Sequence, residues 1–308
     1  MVTLANTGEV LSLLNRSGNR PSQEGAAAEA DRAIALCVTA GCRRIRLRGD
    51  TAFSQTEHLD RWHERGNVLF QFGYDAKKNL SGLAEDLPES AWQKLTRPAR
   101  YAVKTQTRAR PDNVKREVIR RREFEHLHLQ SEQVAEFEYQ PDACQRPYRL
   151  VVIRQNISHE KGDKVLFDEI RYFFYITNDR QATAAEIVFG CNDRCDQENL
   201  IAQIAGGVRA LSAPVDNLVS NWADMVMTSL AWTLKAWSAL LLPITPRHRA
   251  AHEAARTTWL RMEFKTFVNE VLKVPCQIIR QGRRVIHRVL HWNPQLPALF
   301  RLCAALNC

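Results

Sequence analysis

What this 308-residue chain lacks narrows it first. Its eight cysteines, at positions 37, 42, 144, 191, 195, 276, 303 and 308, show none of the paired short spacings of a zinc module. Cys191 and Cys195 come nearest to a ligand pair, but no Cys or His pair follows them at the spacing of a zinc module. Reduced, mostly buried thiols are therefore expected. No basic start leads into an apolar signal core, so secretion is not indicated and a cytoplasmic location is expected. There is no internal repeat and no low-complexity tract. No apolar run is long and clean enough for a membrane span. Trp222 to Leu242 approaches the length, but Asp224 and Lys235 interrupt it and Ser and Thr recur through it. A buried core helix, and no membrane partner, is the expectation there.

Acids are scarce in two places. Arg97 to Arg122 holds ten Lys and Arg against Asp112 and Glu117, and Lys273 to His291 holds five with no acid. These two stretches exceed the chain's formal charge of +9, so the remainder is net negative and the basic character is regional. One basic run alone reads as a solvated face. Concentration of this kind suits a polyanion, because Lys and Arg that neutralise phosphates release condensed counterions. A hydrophobic content of 45% excludes whole-chain disorder, and the length fits about two domains.

Along the chain, Met1 to Ala5 and Glu9 to Leu14 read as a hairpin, and Glu24 to Ala40 as a helix stopped by Gly41. Arg43 to Gly49 alternates polar and apolar residues and reads as a strand that delivers Asp50 to its C-terminal end. Gln55 to Arg65 looks helical, and Val68 to Phe72 is another strand. From about Leu87 to Ile176 the pattern turns β-rich, with strand-like runs at 135–139, 148–153 and 172–176. Helical periodicity returns at Ala184, carries Glu198 and persists through Trp237. Arg256 to Leu272 reads as one helix, and Cys276 to Leu290 as a basic hairpin around Gln281-Gly282.

The chemistry-bearing residues are an acid at a strand end, Asp50, and one on a distant helix, Glu198, with Arg194 one turn before it. Strand-end and helical acids converging on divalent metal is the way ribonuclease H-like phosphoryl-transfer sites work, though each acid has a simpler reading. Asp50 could cap its turn, and Glu198 could pair with Arg194, worth about 0.2–0.5 kcal/mol. Arg120, Arg121 and Arg122 either grip phosphate or stay solvated. His126 and His128 read as surface histidines.

Longer words in order add to this: Leu4-Ala5-Asn6-Thr7-Gly8-Glu9, Asn19-Arg20-Pro21-Ser22, Arg48-Gly49-Asp50-Thr51, Phe72-Gly73-Tyr74-Asp75, and Arg171 through Asn178. Further on come Asn192-Asp193-Arg194, Glu198-Asn199-Leu200-Ile201, Pro214 through Leu218, Arg261 through Phe267, and Trp292-Asn293-Pro294. Through these the chain resembles the DDE transposases of bacterial insertion sequences, the branch called transposase DDE domain group 1. The resemblance implies an α/β, ribonuclease H-like mixed sheet with flanking helices, a β-rich DNA-facing insertion and a helical C-terminal part. It divides the chain into 1–86 and 181–308 as core and 87–180 as insertion. It also implies Mg²⁺- or Mn²⁺-dependent cleavage and strand transfer, with Asp50 and Glu198 as metal ligands. Arg194, Arg120, Arg121 and Arg122 become the DNA-contacting residues. Double-stranded DNA at transposon ends and target is the implied partner, with a homodimer or a dimer with an intact transposase besides.

Two departures from the family pattern stand out. The family's first acid sits on a strand before the opening hairpin, and nothing in the chain matches it. The position of the basic residue in Arg-x3-Glu-x6-Lys is Ala205, followed by Gly206 and Gly207. The expectation is a copy lacking its first core strand and defective in catalysis.

Overall fold

The computed structural model describes residues 1–97, 114–162, 164–193 and 195–306. They fall into two compact units, Ser22–Arg194 and Met1–Pro21 together with Cys195–Cys308. The second of these opens with the expected hairpin, β1 (Val2–Thr3) against β2 (Val10–Ser12). Gly8, at φ 76°, supplies the left-handed turn residue between them. The hairpin is a two-stranded sheet of its own.

The Ser22–Arg194 unit is built on a six-stranded mixed sheet. Helix α1 (Ala26–Thr39) precedes edge strand β3 (Ile45–Gly49), and α2 (Leu59–Glu64) crosses over to β4 (Val68–Tyr74), which lies parallel to β3. A crossover through a helix is what parallel neighbours require. Then follow α3 (Lys78–Glu85), β5 (Gln93–Lys94) and the basic helix α4 (Val114–Arg122). The long antiparallel strands β6 (Glu125–Tyr139), β7 (Tyr148–Lys161) and β8 (Lys164–Thr177) come next, then α5 (Ala184–Asn192). The strand order is β3-β4-β8-β7-β6-β5, with β8 antiparallel to β4. Residues 87–180, expected as an insertion, thus contribute strands to the same sheet as β3 and β4. Strands β6 to β8 run well beyond the short strand-like runs at 135–139, 148–153 and 172–176, and their outer halves expose apolar residues such as Leu127, Phe167 and Ile170.

Strand alternation explains why this sheet is covered on both faces. Leu150 and Val152 of β7 pack with Phe70, Phe72 and Trp62 on one side. Val151 and Ile153 point to the other side and meet Ile187 and Val188 of α5. Helix α5 starts at a capping box, in which Thr183 accepts from Glu186 N and Glu186 accepts from Thr183 N. Asn178, at the end of β8, prolongs the ladder with its side chain: it accepts from Phe70 N at 2.8 Å and donates to Val68 O at 3.0 Å.

In the other unit, α6 (Cys195–Ala202) runs into a wider π turn over Gln203–Gly207. The long helix α7 (Leu218–Leu240) is capped by Asn217, whose side chain accepts from Val219 N and Ser220 N. Three indole N–H groups on α7 hold the opening hairpin: Trp222 donates to Leu13 O, Trp232 to Gly8 O and Trp237 to Glu9. Helices α8 (Arg249–Arg261) and α9 (Phe264–Phe267), hairpin β9 (Cys276–Gln281) with β10 (Arg284–Val289), and α10 (Leu296–Leu306) complete it. The basic hairpin turns at Gly282, φ 57°, as its sequence indicates.

Two helices differ from their sequence pattern. The single helix over Arg256–Leu272 is broken between α8 and α9, because distant side chains take its backbone groups. Leu260 O accepts from Lys235 Nζ at 2.8 Å, and Phe264 N donates to Gln203 Oε1 at 3.0 Å, replacing the bond the helix would make between them. The apolar helix near residues 222–242 is buried on one face only. Its buried face carries Asn221, Ser229, Trp232, Thr233 and Lys235, while Val219, Met227, Leu230, Leu234 and Leu241 are exposed. No helix among the described residues is long and apolar enough to cross a membrane.

Candidate active site and nucleic-acid interface

Asp50 stands where the alternation of Arg43 to Gly49 places it, directly after β3. Close backbone approach fixes it there. A Cβ on Gly49 would come within 2.9 Å of Phe53 Cβ, and one on Gly73 within 2.9 Å of Thr51 Oγ1 and 3.0 Å of Thr51 N. The two glycines thus let the turn after β3 lie flat against β4, which gives the words Arg48-Gly49-Asp50-Thr51 and Phe72-Gly73 a shared steric cause. Asp50 caps a short 3-10 turn over Thr51–Phe53, accepting from Ala52 N at 3.1 Å. This capping role, foreseen as the simpler reading, engages Oδ1 of the carboxylate.

Next to it, Arg48 reaches across the sheet face to Asp193, 3.6 Å away at the C-terminal end of α5. Asp193 was not singled out in the sequence, where only its place beside Arg194 marks it. On the same face Gln71 of β4 is buried, its Oε1 without a hydrogen-bond partner among the described residues, and a Cβ on Gly190 would come within 2.6 Å of that oxygen.

In the other unit, Glu198 is exposed on α6, while Leu200 of the same word is buried with Ile204, Ala210 and Trp232. Ala205 is exposed within the π turn. Gly207 has a packing reason, since a Cβ there would lie 3.0 Å from Phe264 Cβ. The consecutive glycines Gly206 and Gly207 coincide with a change from α to π geometry. Arg194 lies outside the described residues.

Arg120, Arg121 and Arg122 form the exposed last turn of α4, where cations favour the helix dipole. Glu123, at φ 49°, ends the helix, and Phe124 N bonds back to Ile119 O at 3.2 Å. At the other end of the basic stretch Arg97 is occupied: it makes two 2.7 Å bonds to the buried carboxylate of Glu132. Residues 98–113 of the stretch lie outside the described residues. His126 and His128 both turn to Glu160, at 2.9 and 3.3 Å.

Carboxylate oxygens such as those of Asp50 and Glu198 suit Mg²⁺ or Mn²⁺. Among the described residues, however, no three His, Cys, Asp or Glu side chains gather as an ion-holding group. The donor type fits a divalent ion and the number does not.

A family model described as transposase DDE domain group 1 matches residues 2–307. The chain belongs to this family. No curated protein matches it. Membership ties the chain to DNA transposition and recombination, with DNA as the substrate class. Several of the transposase words named above also have packing roles in the structure: Asn178 extends a sheet, Asn217 caps α7, and Phe264 presses on Gly207.

Proposed function

We propose that this transposase-family chain binds duplex DNA of insertion-sequence ends and that Asp50 and Glu198 are its metal-ligating acids. We further propose that the chain by itself does not complete DNA cleavage. The observation that carries this reading is the family match over residues 2–307, which includes both acids within their words. Two-metal phosphoryl transfer holds its ions about 4 Å apart and needs several converging carboxylates. Within these 308 residues only two match the family's three, and the basic position seven residues after Glu198 is Ala205. Arg194, with Arg120, Arg121 and Arg122, supplies phosphate contacts in this reading, and a ribonuclease H-like core is its architecture. Binding of labelled duplexes carrying the element's ends, compared with unrelated duplexes, tests it. Equal affinity for both would remove end recognition from the proposal.

A second reading, a non-enzymatic fragment that dimerises or joins an intact transposase, is favoured by one feature. Helix α7 is about 34 Å long at 1.5 Å per residue and presents an apolar stripe to solvent: Val219, Val226, Leu230 and Leu234. Exposed stripes of this kind mark association surfaces. Sedimentation of the chain and of a Leu230→Lys/Leu234→Lys variant separates the readings: a dimer lost in the variant supports the second, and a monomer in both removes it.

A further inference from the structure

At the end of β3 away from Asp50, a cavity of about 400 Å³ opens among Arg43, Arg44, Asn67, Asn178, Asp179 and Gln181. Arg43 and Arg44 precede the strand and Asp50 follows it, so the two places are roughly 20 Å apart at 3.3 Å per residue. The one carboxylate of the cavity wall, Asp179, and the amide of Asn178 are already engaged. Asp179 accepts from Gln181 N at 2.9 Å and Ala182 N at 3.1 Å and pairs with Arg46 at 2.9 Å. Burial pushes its carboxyl upward, but these N–H groups and Arg46 outweigh it and hold the group below the usual carboxylate range. Asn178 is used by Phe70 and Val68, and Arg180 is held by both carboxylate oxygens of Glu138. Arg43 and Arg44 have no carboxylate partner among the described residues. The charged groups that the cavity has left to offer are therefore the guanidinium groups of Arg43 and Arg44.

We propose that this cavity is a phosphate-binding site, with Arg43 and Arg44 as its cationic donors. Guanidinium matches phosphate by paired N–H donors in a plane. Arg46 adds to the site by cancelling the charge of Asp179, which would otherwise repel an anion. The phosphate is either a free one or a group in the backbone of duplex DNA. The second source rests on the transposase reading; the phosphate chemistry does not.

The test uses the full chain and its Arg43→Ala/Arg44→Ala variant. Both side chains are exposed, so the variant should melt like the parent in chloride. Thermal melts are recorded in inorganic phosphate and in chloride at equal ionic strength. Duplex binding is followed by fluorescence anisotropy from low to high salt. The site predicts a phosphate-specific rise in melting temperature for the parent that the variant loses. A backbone contact predicts in addition a salt dependence of duplex binding that is shallower in the variant by up to about 0.9 for each phosphate left unneutralised. Phosphate stabilisation that disappears in the variant, without any duplex binding by the parent, would keep the site and remove DNA as the source. Identical melts in phosphate and chloride, with equal salt slopes for parent and variant, would overturn the proposal.

Discussion

Gly73 carries more of the site than its lack of side chain suggests. Its absent Cβ leaves room for the backbone N and Oγ1 of Thr51, the residue after Asp50. Gly73→Ala must push that turn away from β4, and overpacking of this kind costs about 1–3 kcal/mol; chemical denaturation should show a loss in this range. Arg97 makes a second test. Glu132 is buried, and its carboxyl is held low first by the Arg97 bonds, then by Gln155. A carboxyl depressed in the folded state gives stability that is present above its unfolded value and lost as pH falls through the folded one. Arg97→Ala should therefore cost roughly 1–3 kcal/mol at neutral pH for the partner left unsatisfied. Its acid unfolding should also begin at higher pH than that of the parent.

Lys235 gives the opposite sign. It is 2% exposed, and burial brings its ammonium down to about 8. Leu260 O at 2.8 Å and the Trp232 ring at 4.1 Å favour the charged form and oppose that shift. A depressed Lys penalises folding below about pH 8, and the penalty fades as pH rises toward the unfolded value. Stability of the parent relative to Lys235→Met should therefore rise between pH 8 and 10.5, by at most about 3 kcal/mol. The difference between the two proteins is the proper readout, because the buried thiol of Cys144, raised to about 11, acts with the reverse sign in both. A difference that is flat with pH would show that the carbonyl and indole offset burial completely.

At the scale of elements, the pattern of apolar residues reported strands and helices wherever local contacts decide them. Helix α1, strands β3 and β4, and the Gly282 hairpin stand where alternation, periodicity and turn residues put them. It failed where distant side chains intervene. No local signal shows that Lys235 and Gln203 will take the backbone groups of Leu260 and Phe264 and split α8 from α9. Nor does composition show that α7 turns its polar residues inward, where Asn221 and Lys235 find carbonyl partners. The basic element α4 is where binding should be read. Replacing Arg120, Arg121 and Arg122 with Ala should reduce the salt slope of duplex binding by up to about 0.9 for each phosphate these side chains neutralise. An unchanged slope would mean that this turn only faces water.

For the whole molecule, family membership was legible because the matching words run from Leu4 to Pro294, within the matched residues 2–307. The placement of the two proposed ligands was legible, Asp50 at a strand end and Glu198 on a helix, each in a different compact unit. The supports of Asp50 were hidden, since Gly73, Thr51 and the Arg48–Asp193 pair meet only once the sheet is formed. The central claim is a transposase-family chain that holds DNA and leaves it uncut. One assay addresses both halves: the 308-residue chain is incubated with supercoiled plasmid carrying the element's ends, in Mg²⁺ and in Mn²⁺, and the mixture is run before and after removal of protein. The account predicts a retarded complex that releases intact supercoiled plasmid. Nicked plasmid from the parent, absent with Asp50→Ala and Glu198→Ala, or no retardation at all, would contradict it.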